Sequence, residues 1–146
     1  MAYGANTNQG IIRDYNEDRV SIILNIVKPA GKVCSTWPKC SFFGVYDGHG
    51  GANCADFLRD NLHHLVVGDV SFPANPREAI RRGFRNAEQL FLNMAQKNGV
   101  VVDKSGSCAT CALVIGIFLG LNLQTICAML PMSETAEHFS QLAEVI

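Results

Sequence analysis

The segment Phe42-Phe43-Gly44-Val45-Tyr46-Asp47-Gly48-His49-Gly50-Gly51 constrains this chain more than any other. An apolar, aromatic run of this kind belongs in a buried strand, and Asp-Gly is turn chemistry. The spacing therefore predicts a strand over 40–46 that stops abruptly at Asp47-Gly48. After it come an acid, an imidazole and three glycines in five residues. Glycines at that density let backbone approach a ligand where side chains would obstruct it.

The rest of the chain can be arranged around this junction. Residues 3–14 read as an irregular segment or a short edge strand. Residues 19–27 are β-branched and mostly apolar, as in a strand buried on both faces. Lys28-Pro29-Ala30-Gly31-Lys32 is a turn. Ala55, Leu58, Leu62 and Leu65 recur at three and four residues, which predicts a helix over about 52–67. A second helix starts at Asn75 as cap, with Pro76 in the first position and Glu78 as a capping-box acid. Its stripe is Ile80, Phe84, Ala87, Phe91 and Met94, and Gly99 is a natural terminator. A further strand is expected over 107–117. Strands, a helix pair and then a strand suit an α+β layered domain better than repeating βαβ units.

Composition narrows the function classes. The 146 residues are 48% hydrophobic and 17% charged, a globular balance, and 146 residues suffice for one domain with a real core. A net charge of -1 argues against a nucleic-acid surface or a polybasic membrane patch. The first twenty residues lack the pattern of a secretory signal, so a cytoplasmic or nuclear location and six free thiols are expected. Cys108 and Cys111 have CxxC spacing, but residues i and i+3 of a strand face opposite sides and no second ligand pair accompanies them. The uncharged run 111–132 could span a bilayer by length, yet its Gly, Asn, Gln and Thr content favours a buried strand followed by an apolar tail. His63-His64 reads as structural, and Arg81, Arg82 and Arg85 as a solvated helix face.

The chemistry gathers at two places. Glu17-Asp18 precedes the first long strand, and Asp47 ends the second. If those strands are neighbours, three carboxylates meet at one sheet rim, an arrangement that commonly holds a cation. All-oxygen ligands point to Mg²⁺ or Mn²⁺, and Gly48 can add a main-chain carbonyl. Taken singly, Glu17-Asp18 is an ordinary strand entry, Asp47-Gly48 a β-turn and His49 a solvated turn histidine.

Together these residues resemble the PPM (PP2C-type) protein phosphatases. The resemblance is carried by Arg13-x-x-x-Glu17-Asp18, by the segment from Phe42 to Gly51, and by Ser105-Gly106-Ser107-Cys108-Ala109, in the family's order over roughly residues 3–117. It implies a layered α-β-β-α sandwich with two Mg or Mn ions at one edge. It further implies that Asp47 bridges the ions, that Gly48 offers its carbonyl, and that Glu17 and Asp18 hold them directly or through water. Arg13 matches the phosphate-binding arginine and His49 the general acid. The implied reaction is hydrolysis of phosphoserine and phosphothreonine in phosphoprotein substrates by a metal-activated water, in a chain expected to be monomeric.

Residues 118–146 depart from the pattern. They contain no aspartate, only Glu134, Glu137 and Glu144, where the family supplies two more metal aspartates. The expected organisation is thus an N-terminal portion of the domain over 1–117 and a divergent apolar tail over 118–146, an incomplete sandwich. About three negative charges face about four positive ones on two divalent ions, which implies weak metal binding. The alternative to an active enzyme is a catalytically inactive, phosphatase-like fragment that binds phosphoproteins or a regulatory partner. A serine hydrolase is set aside for want of a Gly-x-Ser-x-Gly elbow.

Overall fold

The computed structural model describes residues 3–97, 100–116 and 124–130. In chain order the elements are β1 (Arg19–Ile23), β2 (Cys40–His49), α1 (Asn53–Gly68), α2 (Pro76–Ala95), the short pair β3 (Gln96–Lys97) and β4 (Val100–Val101), β5 (Gly106–Ile115) and β6 (Gln124–Leu130). Four strands form one antiparallel sheet in the order β1-β2-β5-β6. Both helices pack on one face of it, giving an α+β arrangement of one helix layer on one sheet.

Alternation along β2 decides which face is covered. Cys40, Phe42, Gly44, Tyr46 and Gly48 point toward the helices and are buried, while Val45, Asp47 and His49 point away and are exposed. On α1 the inward stripe is Ala55, Leu58, Leu62 and Val66, all completely buried, with Leu65 only partly covered. Each large apolar side chain taken fully out of water contributes about 1.5–3 kcal/mol. Tyr46 is also completely buried. Its hydroxyl is hydrogen-bonded to Ser21 Oγ at 3.1 Å, and Ser21 Oγ donates to the Arg59 carbonyl of α1. Burial pushes the Tyr46 phenol up to about 12.

α2 begins as expected, with Pro76 in its first turn and Asn75 Oδ1 accepting from the Glu78 N–H at 3.2 Å. Only half of the capping box is made. The Asn75 N–H donates to Ser71 O, and the Glu78 carboxylate is held by Arg81 and Arg82. Met94 is 65% exposed, and Ala95 takes the last inward position of the stripe. The helix stops before the expected end at Gly99: it ends at Ala95, Gln96 turns to an extended conformation, and Gln96–Lys97 already pair as β3.

Three boundaries differ from the sequence expectation. β1 ends at Ile23, because Asn25 adopts φ 52° and breaks the strand, and it is only half-buried at the edge of the sheet. The chain is then held beside the sheet by Ile26 N–H to Cys40 O and by Trp37 Nε1–H to Ile26 O. β2 does not stop at Tyr46: Asp47, Gly48 and His49 remain in the ladder, opposite Cys108, Ser107 and Gly106 of β5. β6 adds Gln124–Leu130 to the sheet edge, and the rest of the expected tail lies outside the described residues. Cys34, Cys40, Cys54, Cys108 and Cys111 are in no disulfide. Among the described residues no helix is long and apolar enough to cross a membrane.

Candidate metal and phosphate site

The junction that opened the sequence is a strand end followed by a turn. The reversal falls at Gly50 and Gly51, whose φ values of 67° and 126° lie where side chains are rarely tolerated. Gly48 is glycine for another reason: a Cβ there would collide with the backbone carbonyl of Glu17. That close approach brings the residues before β1 against the end of β2. Antiparallel pairing places Arg19 opposite Tyr46, so Glu17 and Asp18 lie beside Asp47 and Gly48.

Arg13, Glu17, Asp18, Asp47 and Gly48 accordingly line one open cleft of about 180 Å³. Asn8, Gln9, Tyr15 and Asn16 complete its wall. The sequence did not single out these four, because a lone amide or tyrosine in an irregular segment carries no pattern. His49 does not line this cleft. It is exposed on the same strand face as Asp47, and its ring lies against Gly106 of β5, where a Cβ would strike the imidazole.

The three acids have different surroundings. Glu17 is 8% exposed and already engaged. Its Oε1 accepts from the Gly51 N–H at 2.6 Å and from the Tyr15 hydroxyl at 3.3 Å, and its Oε2 from Arg13 Nη1 at 3.3 Å. Glu17 thus ties the Gly50-Gly51 turn to the entry of β1. The carboxylates of Asp18 and Asp47 make no hydrogen bond or ion pair among the described residues. All three acids line the cleft, but with Glu17 engaged, two carboxylates are left open. Consistently, no set of three acid, histidine or cysteine side chains stands ready for a metal among the described residues.

The donor chemistry still suits a hard divalent cation. Mg²⁺ is commonly held by one or two carboxylates with waters completing its shell, and two unpaired aspartates in a polar cleft offer that arrangement. A zinc-type thiolate or imidazole set is absent from the cleft lining.

The third sequence motif supports this rim from below. The Ser105 hydroxyl accepts from the Cys54 N–H at 3.1 Å, capping α1, whose own cap residue Ala52 supplies no side-chain bond. Asp103 accepts from the Ser105 N–H and from Asn53, and these bonds hold its carboxyl below the usual range. Gly106 leaves room for the His49 ring, and Ser107 Oγ lies 3.2 Å from the Asp47 carbonyl.

The family model described as Protein phosphatase 2C matches residues 2–124. Probable protein phosphatase 2C 54 of Oryza sativa is 37% identical over 87 residues, covering 60% of this chain and 24% of that protein. Protein phosphatase 1F of Homo sapiens is 33% identical over 79 residues, covering 54% and 17%. The chain thus spans about a quarter or less of the length of these relatives. A bacterial serine phosphatase has a similar fold, with a TM-score of 0.55 at 22% identity over 74% of this chain and 46% of that one. Serine-threonine phosphatase 2C from Toxoplasma gondii gives a TM-score of 0.52 at 15% identity over 80% and 46%. At these identities the structures speak for the fold alone, while the family match rests on the sequence. With 123 consecutive residues matched, from 2 to 124, the chain belongs to the protein phosphatase 2C family.

Proposed function

We propose that this chain carries the N-terminal part of a site that hydrolyses phosphoserine and phosphothreonine in proteins with two Mg or Mn ions. The observation that carries this reading is the cleft itself, which Arg13 lines together with Asp18 and Asp47, whose carboxylates have no hydrogen-bond or ion-pair partner among the described residues. Asp47, Asp18 and the Gly48 carbonyl would hold the cations, with Glu17 contributing through water or through the turn it fixes. Bound there, divalent cations lower the pKa of water and neutralise phosphoryl charge.

The protein groups have separable tasks. Arg13 is 73% exposed at its side chain, and Glu17 occupies only one of its nitrogens, so the rest of its planar fork is open to phosphoryl oxygens. His49 stands in solvent on the Asp47 face and would give a proton to the departing serine or threonine oxygen. Residues 1–117 are read as the family portion and 118–146 as the divergent tail.

A second reading has its own support. Among the described residues there is no three-ligand metal group. A chain holding one part of the site would then bind phosphoproteins through Arg13 without turning them over. A phosphatase assay on a phosphoserine peptide with Mn²⁺ or Mg²⁺, run beside Asp47→Asn, separates the two. Metal-dependent turnover that disappears in Asp47→Asn is the result expected of the enzyme. Equal residual activity in both proteins rejects it, and peptide binding lost in Arg13→Ala would then favour the fragment.

A further inference from the structure

Asp18 owes its position to a residue 38 places further along the chain. Arg19 Nη1 donates to the Asn16 carbonyl at 2.7 Å and to the Asp18 carbonyl at 2.8 Å. The other edge of the same guanidinium grips Asp56 of α1, with Nε to Oδ1 at 2.7 Å and Nη2 to Oδ2 at 3.3 Å. The Asp18 N–H donates to Asn16 Oδ1 at 2.9 Å, and Asn16 Nδ2 donates to Thr7 Oγ1. Both main-chain polar groups of Asp18 are thereby fixed, and only its carboxylate is left for the cleft.

From these contacts, and resting on the reading of Asp18 as a cation ligand, we propose that Arg19 and Asp56 are a positioning pair that sets Asp18 for divalent-cation binding. Magnitudes favour positioning over stability. The Arg19 and Asp56 side chains are 24% and 36% exposed, and ion pairs this open to water contribute little to folding. What the planar fork does provide is geometry: it meets a carboxylate on one edge and two carbonyls on another, which a lysine cannot reproduce. Groups that orient metal ligands commonly change affinity by about 10–100-fold when removed. Helix α1 follows directly on the Gly50-Gly51 turn, so the pair also locks the entry of β1 to the element that leaves β2.

The test is Mn²⁺ titration of the full chain by calorimetry, with amide hydrogen exchange of the metal-free protein. Arg19→Met and Asp56→Asn should each weaken Mn²⁺ binding by about 10–100-fold. The double variant should lose little more than Arg19→Met alone. In the metal-free protein, Arg19→Met should speed exchange at the Asp18 amide while distant core amides stay protected. Arg59→Ala removes the other partner of Asp56, at 2.8 Å, without touching the Asp18 backbone, and should bind Mn²⁺ as wild type does. If Arg19→Met fails to fold, Arg19→Lys and Asp56→Asn decide by the same criterion. Asp18→Asn separates the two layers of the claim. Unchanged Mn²⁺ affinity in Arg19→Met and Asp56→Asn, with binding lost in Asp18→Asn, overturns the positioning pair alone. Wild-type affinity in Asp18→Asn, or no Mn²⁺ uptake by the wild-type chain, overturns the cation reading and the pair with it.

Discussion

On the side of β2 that looks toward the helices, Cys40, Phe42 and Tyr46 are no more than 1% exposed. On the opposite side Val45 is 55% exposed, and Asp47 and His49 stand in solvent one strand step apart. The covered face is apolar and tied through Ser21 to α1. The open face has the edge of the Tyr3 ring against Phe43, at 6.1 Å, as its aromatic contact among the described residues. One strand thus carries stability on one side and the candidate chemistry on the other. Gly48 apart, which is buried with the even positions yet lines the cleft, a substitution should report on one or the other according to the parity of its position.

The largest effect is expected on the covered face. Phe42→Ala should cost about 3–5 kcal/mol in denaturant unfolding, because it empties a fully enclosed site. A cost below about 1 kcal/mol would mean that the helices do not seal this face. Acid comes next. The ring of His63 of α1 lies 6.2 Å from that of Phe42 and 3.9 Å from that of His64, tilted by 40° to the latter, with its Nδ1 buried and unpartnered among the described residues. Burial, and then the neighbouring His64, lower its pKa to about 4, against the opposing pull of Asp60. In the unfolded chain it titrates near 6.5, so there the unfolded state binds the extra proton. Its contribution is fully present above about pH 6.5 and is lost as pH falls toward 4, on the order of 1–3 kcal/mol. His63→Leu should flatten that slope in unfolding experiments run across the window. If the slope persists, the pH dependence arises elsewhere.

Smaller effects sharpen the contrast. Asn75→Ala removes the α2 cap and should cost about 1 kcal/mol in thermal or denaturant unfolding, leaving Mn²⁺ binding untouched. Val45→Thr, on the open face, should change stability by no more than about 0.5 kcal/mol. A loss above about 2 kcal/mol there would show that the open face is covered in solution.

The sequence made the helices and their inward stripes legible because amphipathic period and caps are local signals. The drift at Met94 shows the limit of that period, since position 94 or 95 can finish a stripe begun at Ile80. Strand ends were less legible. Gly48 has the composition of a turn, yet it lies in a ladder whose partners on β5 are 59 residues away, and it is glycine because Glu17 crosses it. Asn25, which ends β1 early, sits inside an apolar run whose composition outweighed it. At the site, Glu17, Asp18 and Asp47 line one cleft with Gly48 and with Arg13, which entered the sequence reading through the family resemblance and not through spacing. The division of labour among the acids was not readable. That Glu17 is spent on Gly51 and Arg13 while Asp18 and Asp47 stay open depends on one contact across 34 residues and one across four. Arg19 and Asp56 carried no motif at all.

Whether the open end of β2 is a cation site is tested most directly by Mn²⁺ titration of wild type and Asp47→Asn, with unfolding midpoints measured alongside. Saturable binding by the wild-type chain, weakened at least about tenfold in Asp47→Asn at an unchanged midpoint, is the outcome predicted from the loss of one carboxylate ligand. Equal Mn²⁺ affinity in the two proteins would contradict it.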